Sequence, residues 1–163
     1  MAYSKLSVPL LILLAASGCK STPEVQPEPP KVVSLSPACM EYALENDNEE
    51  LVGFRPVYFE VNSAKPYSSL DSNMSCIVTY LSRNPDKSVD IQGYTDDKGT
   101  IEYNKALAKK RADGLVEHLV LLGASPKQLQ SSAHIIEDKG VKLTTSERSK
   151  IRRVNFAITE KSL

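Results

Sequence analysis

The sequence has no tryptophan, only two histidines and three cysteines, and an aromatic share of 6%. That leaves little material for a metal cage, because His118 and His134 lie far apart and Cys19, Cys39 and Cys76 form no CxxC pair. HExxH, GxSxG and GxxxxGK[ST] are missing as well, which speaks against a zinc protease, an elbow-type serine hydrolase and a P-loop NTPase. No motif for a cofactor or metal remains. Charge of one sign is also lacking. The 20 Lys and Arg face 20 Asp and Glu, so no overall field draws the chain to nucleic acid. No apolar run reaches the roughly 20 residues of a membrane-spanning helix.

One shorter apolar run is present. It extends over Leu6–Ala16, follows a single charge at Lys5, and closes on Ala16-Ser17-Gly18 directly before Cys19. That is the layout of a signal peptide. Small residues ending on a cysteine resemble the lipobox of bacterial lipoproteins, with Ala16 where leucine is usual. The resemblance implies that residues 1–18 are removed and that Cys19 becomes the acylated first residue. Several acyl chains hold a membrane far better than one. Removing residues 1–18 takes away only Lys5, leaving 19 cationic against 20 anionic side chains. Lys20 stands where an aspartate would mark inner-membrane retention, so the resemblance implies an outer-membrane anchor facing the periplasm.

Half of the ten prolines, at 23, 27, 29, 30 and 37, fall in the next stretch. Residues 19–37 therefore read as the acylated cysteine and an extended, semi-rigid tether, reaching roughly 55 Å at ~3.1 Å per residue. Residues 38–53 have weak periodicity and an acidic run, Glu45–Glu50, which suggests a short helix and a solvated turn. From residue 54 to 163 the periods are clear. Val57, Phe59 and Val61 alternate as a strand; Leu70, Met74, Ile77 and Leu81 follow helical spacing up to Asn84-Pro85. Val89 and Ile91 mark a second strand, 102–122 a long helix ending at Gly123, 130–136 a third strand, and Val154, Phe156 and Ile158 a fourth. The expected fold is α/β, an α+β sandwich of βαβαββ type with one four-stranded sheet and helices on one face.

With Cys19 acylated, two cysteines are left in an oxidising compartment, where free thiols are unusual. Cys76 points away from the apolar stripe of its helix, and Cys39 in the extension is its one available partner. A Cys39–Cys76 disulfide pinning the extension to that helix is expected, two free thiols being the alternative.

The long helix carries the most informative chemistry. At about 100° per residue, Leu107, Ala108, Leu115, Leu119 and Leu122 share one arc, and Lys109, Lys110, Asp113 and Glu117 lie opposite. Arg111 falls inside the apolar arc, and Asn104 projects the same way. A buried charge without a partner costs several kcal/mol. Asp96, in the loop before this helix, is the nearest candidate. It either forms a structural bridge to Arg111 or shares with it the mouth of a pocket. There Asp96 would hold a ligand ammonium and Arg111 would grip a carboxylate as a fork, near a helix N-terminus that favours anions. Spacing alone leaves the two readings even.

The run Val89-Asp90-Ile91-Gln92-Gly93-Tyr94-Thr95-Asp96, followed by Gly99, Tyr103-Asn104, Ala106-Leu107 and Arg111-Ala112, resembles the OmpA-like C-terminal domain family, of peptidoglycan-associated lipoprotein type. Val57-Tyr58-Phe59, Asn84-Pro85-Asp86 and Arg148 with Arg152-Arg153-Val154 extend the match over about 56–159. The resemblance implies non-covalent binding of peptidoglycan through the meso-diaminopimelate of its stem peptide. By matching position, Asp96 and Arg111 would be the principal ligands, supported by Thr95, Asn104, Leu107 and Arg152. Tyr94 replaces the usual histidine and is expected to keep an aromatic ring beside the site. Ala108 replaces a serine, Ile151 replaces an asparagine, and the customary Gly-rich turn is absent from Ser131–Lys139.

The implied function is an anchor from outer membrane to cell wall, with no cofactor. The alternative is a structural subunit of an envelope-spanning secretion machine that works mainly through contacts with other envelope proteins. Catalysis is not expected. Glu60, Asp90, Asp97 and Glu102 read as solvated surface charges, and neither His118 nor His134 sits in a known nucleophile arrangement.

Overall fold

The computed structural model describes residues 35–67, 69–136 and 142–161. The signal peptide, Cys19 and the tether up to residue 34 lie outside the described residues, as does part of the 131–139 stretch.

Among the described residues ten elements follow in chain order. They are α1 (Pro37–Met40), β1 (Ala43–Glu45), β2 (Leu51–Tyr58), α2 (Asp71–Arg83), β3 (Lys87–Thr95), α3 (Ile101–Leu121), a 3-10 turn (Pro126–Gln128), β4 (Leu129–Ile135), α4 (Thr145–Ile151) and β5 (Arg153–Glu160). The strands form one sheet in the order β1-β2-β5-β3-β4. β3 and β4 are parallel, with α3 as the crossover, and every other pair is antiparallel. The last strand thus enters the middle of the sheet and brings the chain's C-terminal region against β3.

Alternation places Val89 and Ile91 of β3 and Val154 and Phe156 of β5 on the helix-covered face, all essentially buried. They pack with Phe54, Met74, Ile77, Leu81, Leu115 and Leu119 into one core, in which Phe54 and Tyr80 meet edge to face at 5.7 Å. Gly93 governs how α3 lies on the sheet. A Cβ there would fall on the carbonyl oxygen of Ala108, far inside contact distance, so glycine lets α3 cross the end of β3 at close range. The helix closes as a Schellman motif, with Gly123 at φ 104°, Ala124 N–H on Leu119 O and Gly123 N–H on Val120 O, both 2.9 Å. Leu122 sits at that cap, 39% exposed, and not on the buried arc expected of it. No described helix is long and apolar enough to cross a membrane.

The sheet has five strands where four were expected. The acidic run is the reason. Asn46 Oδ1 accepts the backbone N–H groups of Asn48 and Glu50 at 3.0 and 2.9 Å, and Glu49 takes φ 61°. This turn folds the extension back as a β1–β2 hairpin, leaving only Pro37–Met40 helical. The first long strand accordingly runs over 51–58 and not 57–61. Phe59 makes an isolated bridge to Pro66, and Val61 is 56% exposed in a turn. Alternation continues through Val61 in the sequence, but Asn62 at φ 54° bends the chain away from the sheet. A fourth helix escapes periodicity because it is only seven residues long. Its start is a capping box in which Thr144 and Glu147 exchange side-chain and backbone bonds.

The structure joins Cys39 of α1 to Cys76 of α2 as a disulfide, with the Cα atoms 5.4 Å apart. Both cysteines and Leu35 are buried in the main core. Residues 35–50 are therefore packed onto the domain.

Candidate functional site

The C-terminal end of β3, the loop after it, the first turns of α3, the turn at residues 61–62 and the cap of α4 just before β5 converge on one cleft of about 250 Å³. Thr95, Asp96, Asn104, Leu107, Arg111 and Arg152 all line it, joined by Val61, Asn62, Lys98, Gly99 and Tyr103. The loop is held from within. Asp96 Oδ1 accepts the Lys98 N–H at 3.1 Å, and Asn104 Nδ2 donates to the carbonyls of Asp96 and Lys98 at 3.2 and 2.9 Å. Thr100 caps α3 by accepting the Tyr103 N–H at 3.2 Å.

Arg111 is 1% exposed. It makes no ion pair with Asp96, so the structural-bridge expectation is corrected. Its Nε donates to Ser63 O at 2.8 Å, and its two terminal nitrogens donate to Tyr94 O and Glu60 O at 2.9 Å each. The guanidinium carbon lies 5.0 Å from the centre of the Phe59 ring. Neutral carbonyls converging from the 60–63 turn and from β3 satisfy the donors without cancelling the charge. Burial, with Arg152 as a second cation nearby and Asp96 only partly offsetting both, pulls the Arg111 pKa down to about 10. It remains protonated at neutral pH.

Asp96 pairs instead with Arg152, whose terminal nitrogen lies 2.9 Å from Oδ2, the two side chains being only 10% and 8% exposed. Arg152 also donates from Nε to Phe59 O at 3.2 Å. Burial works against its charge, but hydrogen bonds to Asp96 and Tyr67 prevail and raise its pKa. The asparagine replaced by Ile151 is not needed for this placement, since Arg152 N–H closes α4 on Arg148 O at 3.1 Å. Thr95 is 2% exposed, and its Oγ1 is buried without a hydrogen-bond partner.

Two further expectations are corrected. Tyr94 gives the site its carbonyl but not its ring. Side chains alternate along β3, so with Thr95 in the cleft Tyr94 lies on the opposite face. There it stacks on His134 at 4.9 Å and 18°, with Arg153 5.1 Å from its centre. Nor are Asp97 and Asp90 freely solvated. Arg148 forks onto Asp97 at 2.6 and 3.1 Å, and that bond holds the Asp97 carboxyl below its usual range. Asp90 accepts from Gln92 and Ser132 at 3.0 and 3.1 Å, and Ser132 Oγ is 3.0 Å from His134 Nε2. A nucleophilic triad has histidine between serine and acid; here the serine is in the middle.

Sequence reasoning missed Val61 because alternation counts it as the end of the first strand, and Asn62 because its residue type alone does not mark the turn. It missed Lys98 because a charged loop residue ordinarily reads as solvated. Tyr103 stood inside the resemblance without a role. The carbonyls of Glu60 and Ser63 leave no trace in residue identity.

Fold and cleft together define an α/β binding module with a buried cationic floor. Residues 58–153 match the OmpA family, and the chain belongs to it. The peptidoglycan-associated lipoprotein of Brucella melitensis is 26% identical over 134 residues, 82% of this chain and 79% of that protein. The peptidoglycan-associated lipoprotein of Pseudomonas aeruginosa is 35% identical over 89 residues, 52% of this chain and 50% of that one. The crystal structure of the peptidoglycan-associated lipoprotein from Burkholderia pseudomallei superposes with a TM-score of 0.59 at 28% identity, over 64% of this chain and 90% of that one.

Proposed function

We propose that this chain is an outer-membrane lipoprotein, acylated at Cys19 and facing the periplasm, whose domain binds peptidoglycan non-covalently. It would thereby tie the outer membrane, or a complex within the envelope, to the cell wall. The ligand group is the free end of the stem-peptide diaminopimelate, which carries one carboxylate and one ammonium. The observation that carries this reading is Arg111, a buried guanidinium whose hydrogen-bond partners among the described residues are all neutral, on the wall of the cleft that Asp96 also lines.

Each terminal nitrogen of Arg111 has one N–H bonded to a carbonyl and a second N–H left for a ligand carboxylate. Such charge-assisted bonds contribute about 1.5–3 kcal/mol each. Asp96 has two acceptor positions occupied, by Lys98 N–H and Arg152, and a carboxylate has about four. The remainder suits an ammonium. Thr95 Oγ1 supplies a further polar contact, and Leu107 and Val61 offer apolar surface to the methylene chain between the charged ends. A zwitterion satisfies both sides, whereas a lone amine would leave Arg111 uncompensated. The domain holds its ligand and breaks no bond.

The similarity to peptidoglycan-associated lipoproteins supports the same reading. The extension favours a second one, a subunit of an envelope machine. Met40, Leu44 and Val52, on the disulfide-pinned extension and its hairpin, are 42–43% exposed. The test is sedimentation of the full chain, in detergent, with insoluble sacculi, beside Asp96→Asn and Arg111→Lys variants checked for folding. Co-sedimentation lost in the folded variants supports the anchor; a wild type that stays in solution sinks it and leaves the extension as the contact surface.

A further inference from the structure

The charges around the cleft do not balance, and the imbalance has a direction. Among the described residues the cleft is lined by three cations, Lys98, Arg111 and Arg152, and one carboxylate, Asp96. Asp96 is engaged by Arg152, and Asp97 beside the cleft is held by Arg148 and acted on by Lys98 at longer range. Arg111 and Lys98 have no carboxylate within ion-pair distance. The diaminopimelate end assigned to Arg111 and Asp96 is neutral overall, so it brings Arg111 a carboxylate and Asp96 an ammonium, leaves the net surplus of positive charge unchanged, and provides no carboxylate for Lys98.

Lys98 is not an incidental surface lysine. Its N–H is held by the Asp96 carboxylate and its carbonyl by the Asn104 side chain, at 3.1 and 2.9 Å. Gly99 follows at φ 97°, turning the chain directly into α3. The backbone is thus clamped on both sides by residues of the cleft, while the exposed side chain lines its mouth. Among the described residues no carboxylate lies within ion-pair distance of it, and Asp97, itself bound to Arg148, attracts it only at longer range. Resting on the wall-binding reading above, we infer that Lys98 recognises a second carboxylate of the same stem peptide and so determines which chemical form of the peptide binds. The long flexible stem and point charge of lysine suit a mobile carboxylate at a rim, where the fork of arginine suits the fixed one at the floor. Two carboxylates adjoin diaminopimelate, the α-carboxylate of the preceding γ-linked glutamate and the terminal carboxylate of a peptide ending there. Neutralising the right one by amidation removes the partner of Lys98.

The experiment measures binding of the full chain to three synthetic stem tripeptides ending on diaminopimelate. One is the free acid, one is amidated at the glutamate, and one is amidated at the terminus. Wild type should bind one amide about fivefold more weakly than the free acid, the scale of a partly exposed ion pair, and that amide identifies the carboxylate. Lys98→Gln should bind all three within twofold of one another, and Lys98→Arg should restore the preference. Equal binding of the three peptides by wild type overturns the inference, as does unchanged discrimination in a folded Lys98→Gln variant, and both leave the wall-binding reading standing. Failure of wild type to bind any of the three overturns both.

Discussion

Asp96 and Arg152 lie 56 residues apart and meet at 2.9 Å, while Arg111, the cation nearer in sequence, has backbone carbonyls for its hydrogen-bond partners among the described residues. One carboxylate thus ties the loop before α3 to the junction of α4 and β5. Removing it has two separate consequences.

Asp96→Asn leaves Arg152 buried without its counter-charge. Breaking a buried pair from one side typically costs about 3–5 kcal/mol, so urea unfolding should show a loss near the lower figure. Sacculus binding should fall by at least tenfold under conditions where the variant is still folded. A variant as stable as wild type would show that water already screens this pair.

Arg111→Lys keeps the charge and loses the fork. An ammonium cannot reach Ser63 O, Tyr94 O and Glu60 O together, so at least one buried carbonyl is stranded at about 1–3 kcal/mol. Binding and thermal stability should both drop, with binding losing more. Retained affinity would mean that charge alone suffices at the cleft floor.

Asp97 titrates with a sign that can be worked out. Its folded pKa lies below the ordinary value because of the Arg148 bond. The stabilisation is therefore complete above the unfolded carboxyl pKa, about 3.9, and is lost as pH falls through the lower folded value. Unfolding midpoints measured between pH 6 and pH 2.5 should converge for wild type and Asp97→Asn at the acid end and separate above it. Parallel curves would assign the difference to something other than this pair.

The disulfide closes a loop across 37 positions, which corresponds to roughly 4 kcal/mol of lost denatured-state entropy. A Cys39→Ser, Cys76→Ser double variant should unfold at lower urea by about that amount, and amide exchange should accelerate first in β1. Sacculus binding should persist, because neither cysteine lines the cleft. Loss of binding in a folded double variant would couple the extension to the site.

Gly93→Ala pushes a methyl group into the Ala108 carbonyl, which is backbone and cannot rotate aside. Overpacking of this kind costs about 1–3 kcal/mol, and the displaced α3 carries Asn104, Leu107 and Arg111 with it. Stability and ligand affinity should fall together.

Much of this was legible in the residues. A charge interrupting an apolar stripe singled out Arg111; period two located β3, β4 and β5 but shifted the first long strand, and period 3.6 located both long helices. The elements that escaped were short or governed by side-chain turns. Asn46 folds the acidic run into a hairpin, and α4 is too brief to show a period, though its Thr144–Glu147 box could have announced it. The ring of Tyr94 was misplaced for a simpler reason. Neighbours on a strand face opposite ways, and a motif read as a string hides that.

Composition and local periodicity, which act over a few residues, are enough to single out the helix that buries a cation, whereas Thr95, Leu107 and Arg152 enter the candidate site only through the family resemblance. Which acid pairs with which base was decided only by the tertiary structure. β5 enters the middle of the sheet, which brings Arg152 just before it to Asp96, and three carbonyls close around Arg111. Ion pairing depends on distance in space, and distance along the chain is no guide to it once a late strand is inserted between two earlier ones.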